Sequence, residues 1–155
     1  AAFYNRLRPA SKRTFRPLGE TTTVEVCARI GAENASDDPD ADSVVTKYDI
    51  VALDRGAIVG WSFLWNLEAV DPEEGPIFGL AVADAYQGRG VGTALVRAIL
   101  AWADEQSLPQ VILTVVQDNI VARRLYERHG FVRYGDFVGD DGLPYYRMRR
   151  KLPAL

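Results

Sequence analysis

Cysteine, histidine and methionine each occur once in the 155 residues. A lone Cys27 forbids an internal disulfide and suits a reducing cytoplasm. A nucleophilic cysteine needs a base beside it, and the pattern supplies none, so Cys27 reads as a small buried hydrophobe on a helix. His129 precedes a glycine that ends a helix, where an imidazole serves as a helix-end cation. No metal site is expected. Long apolar runs are missing too. The best, residues 57–65, is broken by Gly60 and Ser62 and falls short of the ~18 residues of a spanning helix, so no membrane partner is expected. A basic excess is also absent: the formal net charge is -3, which speaks against a nucleic-acid partner. Residues 1–16 lack the apolar core of a signal peptide. They are Arg-rich and free of acids, which fits an ordinary first helix and, as an alternative, a transit peptide.

The 48% hydrophobic content is that of a globular chain, and the length suits one domain spanning residues 1–155. Phe3, Tyr4 and Leu7 share one helical face, with Pro9 and Pro17 as punctuation. Val24, Cys27, Ala28 and Ile30 suggest a second helix over 21–33, and residues 35–43 read as an acidic loop. Strands follow at 48–53 and 57–67 around a turn at 54–56, then at 76–83. In the second, Trp61, Phe63 and Trp65 face one way while Ser62, Leu64 and Asn66 face the other.

After the third strand, Gln87-Gly88-Arg89-Gly90-Val91-Gly92 leads into a helix over 91–106 with an apolar stripe of Val91, Ala94, Leu95, Ala98, Ile99 and Trp102. The unbroken apolar run 111–116 reads as a parallel strand buried on both faces. A helix over 120–129 ends at Gly130, and 131–138 with 145–152 forms a closing hairpin around the 139–142 turn. Glycines at a strand-to-helix joint let several amides converge on one anion, aided by the helix dipole. A tight turn without a ligand is the plain alternative. A dinucleotide fingerprint does not fit, because Gly88, Gly90 and Gly92 alternate and Thr93 and Ala94 follow.

These residues resemble a known family. Gln87-Gly88-Arg89-Gly90-Val91-Gly92 is similar to the Q/R-x-x-G-x-G/A loop of the GNAT superfamily of N-acetyltransferases. Leu80-Ala81-Val82 resembles that family's fourth strand. Asn119, Ala122, Leu125-Tyr126-Glu127 and Gly130-Phe131 are similar to its N-x-x-A-x-x-L-Y-x-x-x-G-F segment, and the resemblance covers residues 51–152. It implies an α/β fold, a mixed central sheet flanked by helices with splayed parallel fourth and fifth strands. It implies acetyl-CoA as co-substrate and a primary amine as acceptor, attacked directly in a ternary complex. Amides from Gln87 through Gly88, Arg89, Gly90, Val91 and Gly92 to Thr93 would hold the pyrophosphate. Leu80, Ala81 and Val82 would pair with pantetheine, Leu80 N–H would stabilise the oxyanion, and Gly79 would mark a β-bulge.

Tyr126 occupies the family's acid position, with Asn119 and Ala122 nearby; its alternative is a ring packed beside the cofactor. Glu74 resembles the base of ribosomal-protein alanine acetyltransferases, with Glu68 or water as alternatives and a solvated loop acid as the plain reading. Tyr145 or Tyr146 would line the acceptor cleft, and Glu68, Asp71, Glu73 and Glu74 would attract an ammonium. The acceptor is a small amine or a protein N-terminus or lysine; a silent acyl-CoA sensor is the reading of another class. A monomer or homodimer in the cytoplasm is expected. One departure stands out: the family begins with a strand before its first helix, whereas this sequence starts in what reads as that helix, so the strand is either absent or belongs to an N-terminus that precedes these residues.

Overall fold

A two-residue turn with both residues at positive φ, Arg55 at 48° and Gly56 at 79°, twists in the sense that antiparallel strands require. It closes a hairpin of β1 (Lys47–Asp54) and β2 (Ala57–Trp65). The computed structural model describes residues 1–13, 23–26, 47–71 and 73–151. Two short helices, α1 (Ala2–Asn5) and α2 (Pro9–Arg13), precede the hairpin in place of one continuous helix. Of the expected second helix only 23–26 is described, with 24–26 helical. Cys27 and the acidic loop at 35–43 lie outside the described residues.

After the hairpin come β3 (Ile77–Val82), a 3-10 turn (Asp84–Tyr86), α3 (Val91–Glu105), β4 (Gln110–Val116), α4 (Ile120–Arg128), β5 (Val132–Val138) and β6 (Pro144–Lys151). The strands form one mixed sheet in the order β1-β2-β3-β4-β6-β5. β3 and β4 correspond to the family's fourth and fifth strands. They run parallel and pair only at Ile77 and Ile112, with Ile112 N–H donating to the Pro76 carbonyl at 2.8 Å. Beyond that point they diverge, as the sequence implied.

Strand alternation sorts the side chains onto two faces. Leu64, Phe78, Val111, Leu113, Val115 and Met148 join Val96, Ile99, Leu100 and Ala103 of α3 in the main core. On the other face Phe63 and Ala81 pack against Phe3, Tyr4 and Leu7. The expected stripe on α3 needs correction. Leu95, Val96, Ile99, Leu100 and Ala103 are buried, whereas Ala94 and Ala98 are exposed. The helix presents a double row to the sheet, and Trp102 turns aside to stack on Tyr48 with centroids 3.9 Å apart. At the end of α4, Gly130 takes φ +86° and Phe131 N–H donates to the Tyr126 carbonyl at 3.1 Å. That closure turns Phe131 into the core beside Tyr126.

The bulge expected at Gly79 is absent. The β2–β3 register runs unshifted from Gly60–Val82 to Trp65–Ile77. A glycine is required there for another reason: a Cβ would overlap the ring of Phe63. Gly79→Ala therefore overpacks the α1 face and is expected to cost about 1–3 kcal/mol. Phe63→Leu in the same chain should return part of that loss, because the two positions couple. Urea unfolding of the two single variants and the double variant measures the coupling, and strict additivity would refute the account.

Candidate active site

The gap between β3 and β4 is built by hydrogen-bond alternation. Ala83 N–H donates to the Val59 carbonyl at 2.8 Å, so the odd residues of β3 direct their main-chain groups to β2. Leu80 and Val82, the even ones, then direct theirs toward β4. By the same reasoning Ile112 faces β3, so the main chains of Thr114 and Val116 line the far side. Because the ladder stops at Ile77–Ile112, this is an internal sheet edge, open to an extended molecule.

At the mouth of the gap lies the glycine turn. Gly88 and Gly90 have φ +71° and +86°, and a Cβ on either would meet nothing within 4 Å. Gly90 is the N-cap of α3, with no side-chain cap and no acidic residue in the first turn. The leading amides of α3, those of Val91, Gly92 and Thr93, thus lack a side-chain acceptor at the positive end of the helix dipole. Gly92 faces the side chains of Leu125, Val82 and Leu80, at 3.5–3.8 Å from its Cβ position. Such a cradle fits a phosphate followed by a thin, extended arm.

The neighbours of the turn have structural duties. Gln87 Nε2 donates to the Val82 carbonyl at 3.1 Å and also reaches Ser11 Oγ and Asp84 Oδ1, each at 3.4 Å. Ser11 Oγ donates to Asp84 Oδ1 at 2.7 Å and Arg8 N–H to Asp84 Oδ2 at 3.0 Å. Burial works to raise the Asp84 carboxyl, but the Ser11 hydroxyl and the amide and guanidinium of Arg8 outweigh it and hold it below its ordinary range. Arg89 sits over the ring of Tyr86, 5.5 Å from its centroid, and the Tyr86 hydroxyl donates to Asp54 at 2.6 Å. The turn is thereby tied to α2 and to the β1–β2 hairpin. Sequence reasoning did not find this knot, since the partners that tie the turn to α2 and to the hairpin lie 32 to 76 positions away. It also missed an adjoining cavity of about 430 Å³ between α1 and the ends of β2 and β3, lined by Phe3, Leu7, Val59 and Ala83 with Arg6 and Arg8.

Tyr126 is 8% exposed and meets Phe78 and Phe131 edge-on, each at 5.9 Å between centroids. Phe78 follows Ile77, so Tyr126 stands at the inner end of the gap. Burial pushes its phenol up, well clear of neutral pH. Asn119 Oδ1 accepts from Ala122 N–H at 3.2 Å and caps α4, which pairs two of the expected cofactor-site residues with each other. His129 Nδ1 lies 2.8 Å from the Leu125 carbonyl, a helix-end contact.

Glu74 and Glu68 are exposed in the β2–β3 connection. Asn66 Nδ2 donates to the Glu74 carbonyl at 2.6 Å, so the backbone there is fixed while the carboxylate extends from it. Leu80 lies six positions after Glu74, and Ile77 to Leu80 alone spans about 10 Å of strand. Of the other loop acids, Asp71 Oδ1 accepts from Glu73 N–H at 2.8 Å. Burial first, and the negative charge of Glu73 second, push the Tyr134 phenol up. Tyr145 and Tyr146 part company. Tyr145, opposite Val116, stacks on Phe137, whereas Tyr146 packs against the main core.

Residues 6–131 match the family described as the acetyltransferase (GNAT) family. The N-alpha-acetyltransferase RimI of Mycobacterium tuberculosis is 36% identical over 102 residues, 64% of this chain and 63% of that protein. The mycothiol acetyltransferase of Rhodococcus erythropolis is 36% identical over 74 residues, 48% of this chain and 25% of that one. The chain thus spans less than two thirds of either relative. Among solved structures, an acetyltransferase of the GNAT family from Streptococcus pneumoniae superposes with a TM-score of 0.74 at 24% identity, covering 98% of this chain and 90% of its own. The ribosomal-protein-alanine N-acetyltransferase of Brucella melitensis gives 0.72 at 23%, covering 97% and 91%. By fold, by the splayed strands and by the match over most of its length, the chain belongs to the GNAT acetyltransferase family.

Proposed function

We propose that the protein transfers an acetyl group from acetyl-CoA to a primary amine by direct attack in a ternary complex. The observation that carries this reading is the uncapped glycine turn at the mouth of a gap edged by the main chain of Leu80 and Val82. Bound there, acetyl-CoA supplies an activated thioester. The chain's own part is to hold and to move protons. Amides from Gly88 to Thr93 grip the pyrophosphate, and the edge of β3 at Leu80, Ala81 and Val82 adds the pantetheine arm as a strand. Leu80 N–H supports charge as it develops on the carbonyl oxygen. Tyr126, kept protonated by burial, donates to the departing sulfur. The arriving ammonium must first lose a proton, to Glu74 through water, to Glu68, or to solvent.

A protein N-terminus or lysine is the second acceptor class, supported by the likeness to RimI and to the alanine acetyltransferase fold. Among the described residues no helix is long and apolar enough to cross a membrane, and the cytoplasm is the proposed setting. Thiol release from acetyl-CoA across small amines and short peptides tests the reading. Turnover with at least one class is expected, and tight cofactor binding with no turnover would make the protein an acyl-CoA sensor. With a productive amine, Glu74→Gln is expected to lower kcat by about 10²-fold, the usual scale for a general base, and Glu68→Gln to have little effect. The reverse result assigns the base to Glu68, and equal small effects assign it to water.

A further inference from the structure

The arginines of β5 and β6 divide by face. Arg133, opposite Met148, lies on the main-core side and bridges Asp136 at 3.0 Å; Arg150 bridges Asp104 at 3.3 Å. Arg147 and Arg149 point the other way, opposite Thr114 and Ile112 of β4. Among the described residues neither has a carboxylate at ion-pair distance. Each is instead laid on an aromatic ring, Arg147 over Phe137 at 5.1 Å and Arg149 over Tyr134 at 4.9 Å. Phe137 is itself stacked on Tyr145 at 5.2 Å. A guanidinium held over a ring can still turn an N–H edge outward, and that edge matches a carboxylate with two parallel hydrogen bonds.

Register relates this pair to the reacting atoms. Ile77 is level with Ile112, so Thr114 is level with Gly79, and Leu80 N–H opens into the gap just beyond. Arg147 stands across from Thr114, about 5 Å further along the sheet. Thr114 is exposed on this face, so an acceptor whose amine enters the gap lies over β4 toward Arg147. Tyr134, beneath Arg149, feels the negative charge of Glu73, and the Asp141 carboxylate accepts from the Tyr145 hydroxyl at 2.7 Å.

We propose that Arg147 and Arg149 bind a carboxylate carried by the acceptor, so that the preferred substrate is an amine with an acid group roughly one or two strand spacings away, about 5–10 Å. This rests on the acetyl-transfer reading. Glycylglycine and glycylglycinamide, which differ only in that carboxylate, test it. The unaltered protein is expected to favour the acid in kcat/KM by on the order of 10- to 100-fold, the scale of a charge-assisted contact. The double variant Arg147→Gln/Arg149→Gln should bring the ratio to within about twofold of unity, while Arg133→Gln, on the other face, keeps the original ratio. An unchanged acetyl-CoA affinity certifies that the double variant is folded. Absence of preference in the unaltered protein, or its survival in the double variant, overturns the proposal. Calorimetric binding of glycylglycine without turnover separates the two readings. Binding abolished by the double variant, with no acetylation by any form, keeps the carboxylate site and removes acetyl transfer. Turnover without discrimination does the opposite.

Discussion

Gly90→Asp is expected to abolish acetyl-CoA binding. Gly90 holds φ +86° as the N-cap of α3, a conformation that costs an L-residue roughly 1–2 kcal/mol. That strain alone weakens a site without erasing it. The charge does the rest: a carboxylate about 4 Å from a phosphate, at the effective dielectric of a protein surface, is repelled by about 4 kcal/mol, close to a thousandfold in affinity. Gly90→Ala separates the two contributions. Its Cβ would meet nothing within 4 Å, so only the backbone cost remains, and affinity should fall by roughly tenfold. Calorimetric titration with acetyl-CoA ranks the three proteins. Equal affinity for the parent and Gly90→Asp would remove the pyrophosphate from this turn.

Tyr126→Phe is expected to lower kcat by on the order of 10²-fold while moving the acetyl-CoA KM little, because a general acid acts in the transition state. The substitution keeps the ring, and with it the contacts to Phe78 and Phe131, so unfolding free energy should change by less than about 1.5 kcal/mol. A residue that merely packed beside the cofactor would show the reverse, a normal kcat. Burial raises the phenol's pKa, and a raised pKa keeps the donor form present through the neutral and mildly alkaline range. The alkaline limb of the pH–rate profile should therefore not come from this tyrosine, and the limb should persist in whatever activity the variant retains.

Much of this arrangement was legible in the sequence because it depends on local rules. The glycine turn, the Gly130 stop and the hairpins follow from backbone geometry that only certain residues adopt, and the strands from alternation over a few positions. The failures share a cause. The buried face of α3 is set by how the helix sits on the sheet, so Ala94 and Ala98, apolar and correctly spaced, ended in solvent. Gly79 signalled a special site, yet its reason is the ring of Phe63 on the neighbouring strand. The Gln87 side chain bonds the end of β3 and reaches α2, a duty set by partners distant in the chain. Arg147 and Arg149 carried no local signal at all. Their neighbours are charged and aromatic alike, and only the strand register decides which face they take.

The single bridge between β3 and β4 gives the molecule a mechanical character. Between one half-sheet, β1-β2-β3, and the other, β4-β6-β5, the strand ladder is carried by the Ile77–Ile112 pairing alone, with α3 and the shared core packed beneath both. Sheet edges are ordinarily places that proteins shield from foreign strands; here two of them face each other inside the fold. An extended ligand that completes the ladder would splice the halves into one cooperative unit. Its binding free energy would then register as added resistance to opening, growing with ligand concentration as RT ln(1 + [L]/Kd). The amides of Leu80 and Val82 would act as the gauge of occupancy, exchanging with solvent in the free protein and slowing as the gap fills.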